Sequence, residues 1–160
     1  MSRIYTVPWS GTVTAAGGDT DLWELTPADD KPIKLRSILL SQISEVGDTA
    51  EEGLRISIIQ LPATVTSGNG SSVTPVPVDP ADAAAGFTAE VNGTTVATTS
   101  GTAVTVIELG WNNRNSPYEM PVPDPAFAPK QRQAGALVVR MQTTLADDMT
   151  FAGTVWVEEE

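Results

Sequence analysis

The chain has 160 residues, 41% hydrophobic and 18% charged, with a mean hydropathy of -0.05; this supports one packed domain and excludes a charge-dominated disordered chain. Twenty acidic residues against nine basic ones leave a net charge of -11, and no Lys or Arg occurs between Arg55 and Arg114, so phosphate backbones should be repelled and nucleic acid is not an expected partner. Histidine and cysteine are both absent, which removes disulfides, the usual transition-metal ligands and the Ser-His and Cys-His nucleophile pairs.

The apolar runs stay short of the roughly 20 residues that a membrane helix needs, and Met1, Ser2 and Arg3 lead straight into strand-like sequence. Neither a membrane span nor a secretion signal is expected. The first strand is read at Ile4 to Val13, where Pro8 cannot donate to a ladder and predicts an edge strand or a break. Gly17 and Gly18 predict a turn before a strand at Asp21 to Leu25, and the PADDKP segment predicts another before Ile33 to Ile43. An acidic loop, Glu45 to Gly53, precedes Leu54 to Leu61, where Leu54, Ile56 and Ile58 alternate with Arg55 and Ser57 as in a half-buried strand.

Composition then shifts to Pro, Gly, Ser, Thr, Ala and Asp, predicting a long surface loop at about 62–86. Asn92-Gly93 between Thr88 to Val91 and Thr94 to Ala97 predicts a hairpin, since both turn residues tolerate positive φ. Ser100-Gly101 marks a turn, and Val104 to Trp111 a strand. A Pro-rich crossing at about 117–129 carries five prolines and should be extended. Two final strands follow, one with Leu137, Val139 and Met141 facing inward, the other at Met149 to Val157. The expectation is a single all-β domain over 1–160, an antiparallel two-sheet β-sandwich of jelly-roll or related Greek-key topology, with an immunoglobulin-like sandwich as the rival.

Chemistry is sparse. Asp19, Asp21, Asp29, Asp30, Asp79, Asp82, Asp147 and Asp148 nearly all sit in predicted turns, where Asp bonds its own backbone. Asp19 and Asp21 resemble the start of a calcium loop but lack its glycine and distal Glu. Gly-rich GTAVT and GNGS lack the lysine of a phosphate loop. Trp9, Trp23, Trp111 and Trp156 fit core or interface packing better than a sugar platform. No enzyme activity, metal or cofactor is expected; an acid-base glycosidase would need a carboxylate pair placed in a cleft.

Apolar residues fall on both faces of some strands: Ile38 and Leu40 are off-phase with Leu35 and Leu39, Ile59 and Leu61 with Ile56 and Ile58, and Val138 and Trp156 repeat the pattern. A second apolar face needs a cover, and a homo-oligomer, with these six residues at its interface, is the expected one.

The segments TPADDKPIKLR (Thr26 to Arg36), SEVGDTAEEGLRI (Ser44 to Ile56), DAAAGFTAEVNGTT (Asp82 to Thr95) and VWVEE (Val155 to Glu159) resemble a family of small tailed-bacteriophage head-associated proteins, similar more loosely to jelly-roll capsid decoration or cement proteins. The resemblance implies a virion protein on the capsid exterior, made in the host bacterial cytoplasm, forming trimers and bridging subunits of the major capsid protein. It carries over no residue roles. A tail or neck component and a glycan-binding adhesion domain are the alternatives.

Overall fold

The computed structural model describes residues 2–44, 51–115 and 117–160, so most of the expected acidic loop lies outside the described residues. Among the described residues fourteen strands run in chain order: β1 Arg3–Val13, β2 Thr20–Thr26, β3 Ile33–Gln42, β4 Gly53–Leu61, β5 Val65–Thr66, β6 Ser71–Val73, β7 Val76–Pro77, β8 Thr88–Val91, β9 Thr98–Thr99, β10 Val104–Asn112, β11 Tyr118–Pro121, β12 Lys130–Gln131, β13 Ala136–Met141 and β14 Met149–Glu159. One sheet, A, has the order β11-β3-β14-β1-β7, with β12 also on β3; the other, B, has the order β10-β4-β13-β2-β8-β6. All their pairings are antiparallel.

The eight principal strands pair in nested fashion. β1 lies beside β14, β2 beside β13, β3 beside β11 and β4 beside β10. This is a hairpin of strands wound over two sheets, which is the jelly roll. Between the sheets lies a core that includes Tyr5, Val7, Trp23, Leu25, Leu35, Ile56, Ile58, Leu137, Val139, Phe151, Val155 and Val157.

Several local expectations hold. Pro8 lies on β1 beyond the two residues that β7 covers, so its missing donor falls on an open stretch of strand. Gly18 takes φ 67 after the 3-10 turn Ala15–Gly17, and Asp30 takes φ 56 in the PADDKP turn. The hairpin at Asn92-Gly93 does not form. Asn92 has φ 53, but β8 pairs with β2 and β6, and Thr94 to Ala97 leaves the sheet instead of returning along it. The long loop at about 62–86 is not structureless: β5 pairs with β9, β6 joins sheet B and β7 joins sheet A, so it crosses from one sheet to the other. The Pro-rich crossing opens with β11, which buries Tyr118 and Met120 against the core.

Three β-bulges reset the alternation of side chains. On β3, Ser37 opposes Trp156 and Leu35 opposes Val157, leaving Arg36 as the extra residue. On β2, Trp23 opposes Val139 and Asp21 opposes Arg140, leaving Leu22. On β10, Thr105 opposes Ile59 and Ile107 opposes Ile58, leaving Val106. One extra residue flips every later side chain to the other face.

Candidate functional site

Of the six residues expected at an interface, five are buried within the single chain. Ile38 and Leu40 belong to the core between the sheets. The Arg36 bulge returns them to the inward phase, with Ile38 opposite the inward Val155. Their off-phase position in the sequence marks a bulge and needs no partner.

Ile59, Leu61 and Val138 do point away from that core, but they form a second buried cluster with Ala97, closed over by Val65. The cover is a flap of the chain itself, made from the β5 and β9 segments. Polar ties hold it down. Asp21 forms an ion pair with Arg140 (Nε to Oδ1 2.5 Å) and accepts the Ala97 N–H at 2.6 Å, while Arg140 donates to the Ala97 carbonyl at 2.9 Å. Glu24 accepts the Gly68 N–H at 3.0 Å; Glu90, opposite Glu24 across β2 and β8, accepts from the Ser67 hydroxyl at 2.6 Å and the Gly70 N–H at 3.2 Å. Burial pushes the Glu24 carboxyl above its ordinary value; the Gly68 N–H opposes that and the neighbouring Glu90 charge adds to it.

These carboxylates therefore act as fasteners. Without the Leu22 bulge Asp21 would point into the core beside Trp23; with it, Asp21 reaches Arg140 and Ala97 on the outer face. The calcium-loop likeness of Asp19 and Asp21 thus dissolves into a salt bridge for Asp21. Asp79 and Asp124 do turn work, accepting the Ala81 and Ala126 N–H groups, while Asp148 reaches across the fold to accept the Ala15 N–H.

A second charged cluster gathers at the end of β14. Glu158 pairs with Arg36 at 2.6 Å, Glu159 with Lys31 at 3.3 Å, and Glu160 with Lys34 and Lys130. Glu159 also accepts the Gly86 and Phe87 N–H groups, which fixes the end of the long crossing. Burial raises the Glu158 carboxyl, but its bonds to Arg36 and Ser2 and the charge of Lys34 outweigh this and hold it low; the bonds from Lys130 and Lys34 lower Glu160. Four of the nine basic residues serve these three glutamates.

Trp156 is the remaining candidate, and it is partly exposed on the outer face of sheet A. There it lines an open groove of about 370 Å³ with Ile4, Arg36, Ser37, Leu39 and Glu119. Among the described residues no flap covers this face in the way that β5 and β9 cover the other. The four tryptophans do not share a surface: Trp23 and Trp111 are in the core, Trp9 packs edge-on against Trp23 at 5.7 Å, and Trp111 packs near Tyr118 and Phe151. The strand expected at Val104 to Trp111 is β10, but sequence reasoning did not foresee its place at the edge of sheet B, where most of its residues are exposed.

Among the described residues no helix is long and apolar enough to cross a membrane. No protein-family model matches the chain, and no characterised protein is found as a relative. A structure of infectious bursal disease virus, Gx strain, aligns at 15% identity with a TM-score of 0.23, covering 99% of this chain. The chain spans 42% of that one's length, and a likeness this distant carries no argument about function.

Proposed function

We propose that this protein is a structural component of a bacteriophage particle, bound to the outside of the capsid as a decoration or cement protein. It acts by adhering to the major capsid protein and catalyses no reaction. The observation that carries this reading is where the charge goes. Eight of the nine basic residues are in ion pairs within the chain, so the charge left over is overwhelmingly acidic. Such a surface disfavours packaged nucleic acid and suits the outside of a shell.

Trp156 and its groove are the proposed capsid-facing surface, because they form a half-apolar patch on a sheet face that the described residues leave bare. The resemblance of four segments to tailed-phage head proteins supports the same reading, and the jelly roll is compatible with it. The glycan-binding alternative loses its main support, since three of the four tryptophans pack inward.

The test uses particles that lack the protein. They should be of normal shape yet burst at a lower temperature than complete particles, and purified protein added back should restore resistance, because a ligand of the assembled state alone stabilises that state. Particles without tails, or shells equally robust without the protein, would overturn the reading; a handful of copies per particle instead of hundreds would point to a tail or neck site.

A further inference from the structure

A sheet edge offers unpaired N–H and C=O groups to any other strand, and proteins blunt their edges with short strands, prolines or basic side chains. Three of the four margins here follow that rule. Sheet A ends in β11, four residues with Pro121 inside and Pro117 and Pro123 around it, and in β7, two residues ending at Pro77. Sheet B ends on one side in β6, three residues soon followed by Pro75.

The fourth margin, β10, is different. It runs for nine residues, contains neither proline nor a basic residue, and among the described residues pairs with β4 alone. Val104, Val106 and Leu109 are 48%, 42% and 37% exposed. Its one charge, Glu108, is taken up by Arg55. Apart from the bulge at Val106, nothing on the strand resists a second one.

We propose that β10 is a self-pairing edge: two copies of the chain join their β10 strands antiparallel about a two-fold axis, continuing sheet B from one copy into the other. The charges at the ends of the strand select a second copy as the occupant. The Val104 end borders a cavity of about 380 Å³ that Lys130 and Arg132 also line, and among the described residues Arg132 is the one basic residue without an ion pair. The Asn112 end lies opposite Gly53, and the adjoining Asn113 exchanges hydrogen bonds with Glu52 at 3.0 and 3.1 Å, next to Glu51; Arg114 pairs with Glu51 at 3.7 Å, so among the described residues Glu52 leaves this end acidic.

Antiparallel pairing sets the basic end of each copy over the acidic end of the other, twice by symmetry. A parallel pair would set like ends together. The register that puts Glu108 opposite itself is disfavoured by like charge, so the strands pair with an offset. The contact does not rest on the virion reading, and its two-fold symmetry differs from the trimer that the family resemblance implies.

The chain has no cysteine, so single cysteines report contacts cleanly. Val106 is suited to substitution because it opposes no residue of β4, and Phe127, 78% exposed and outside β10, serves as the control. Sedimentation of the native protein across concentration should show a monomer–dimer equilibrium, and Val106→Lys should weaken it by at least about tenfold with unchanged melting. Val106→Cys should form a disulfide dimer at least about tenfold faster than Phe127→Cys, since pairing raises the local thiol concentration. Arg132→Glu should weaken the dimer, and adding Glu51→Arg should restore part of it. A monomer at every concentration, an oligomer unmoved by Val106→Lys, or equal cross-linking at Val106 and Phe127 would overturn the proposal. Should Val106→Lys fail to fold, the cross-linking rates and the Arg132→Glu pair decide it.

Discussion

The two outer faces of this sandwich meet the same demand in opposite ways. Both carry apolar residues where a lone sandwich would face water, but sheet B covers Ile59, Leu61 and Val138 with its own flap, whereas sheet A leaves Trp156, Leu39 and Ile4 lining an open groove. An apolar face therefore signals a partner only after the chain's own loops have been placed. The covered face spends four charged side chains, Asp21, Glu24, Glu90 and Arg140, on fastening. On the bare face Arg36 pairs with Glu158 and donates to the Pro123 carbonyl, but among the described residues these ties hold no cover over Trp156.

The comparison breaks first at the flap's main tie. Asp21→Ala should destabilise by about 3–5 kcal/mol in chemical denaturation, because it strands the largely buried Arg140 and the Ala97 N–H. A loss below about 1 kcal/mol would mean that the tie is a surface pair of little worth. Beneath the flap, Leu61→Ala should cost about 2–5 kcal/mol, as a buried leucine in a packed site does. On the bare face Leu39→Ala should cost less than Leu61→Ala, since Leu39 is only half-buried and lines an open groove. Equal costs would erase the difference between the faces.

A smaller effect sharpens the account of the fasteners. Glu24 holds its proton to higher pH in the folded chain than its ordinary 4.5 in the unfolded one, chiefly through burial. The stability it lends is thus fully present below 4.5 and is lost as pH rises through the raised folded value. Glu24→Gln removes that loss, so the melting temperature of the variant should gain on the native one as pH rises above 4.5. A gap that stays constant with pH would show that Glu24 is not buried as charge.

The sequence shows seven of the eight principal strands well, because Leu54, Ile56 and Ile58 on β4, or Leu137, Val139 and Met141 on β13, alternate without interruption, whereas β11 is hidden in the Pro-rich crossing. Bulges defeat that reading. A period of two carries no mark of an inserted residue, so Arg36 makes Ile38 and Leu40 look outward when they are core. The flap escapes notice for another reason: Val65 and Ala97 are 32 positions apart (97 − 65) and meet only through the β5–β9 pairing, a contact that local pattern cannot encode. The same departure misleads at Asn92-Gly93, where Thr94 to Ala97 looks like a returning strand and instead leads to the flap.

The central claim is that binding is left to the face the chain does not cover. The most direct measurement is the amount of Trp156→Ala protein retained by particles that lack the native protein, against native protein at the same concentration. Trp156→Ala should melt close to the native chain and bind at least about tenfold more weakly, as removal of an aromatic anchor does. Equal retention of the two proteins would contradict the account.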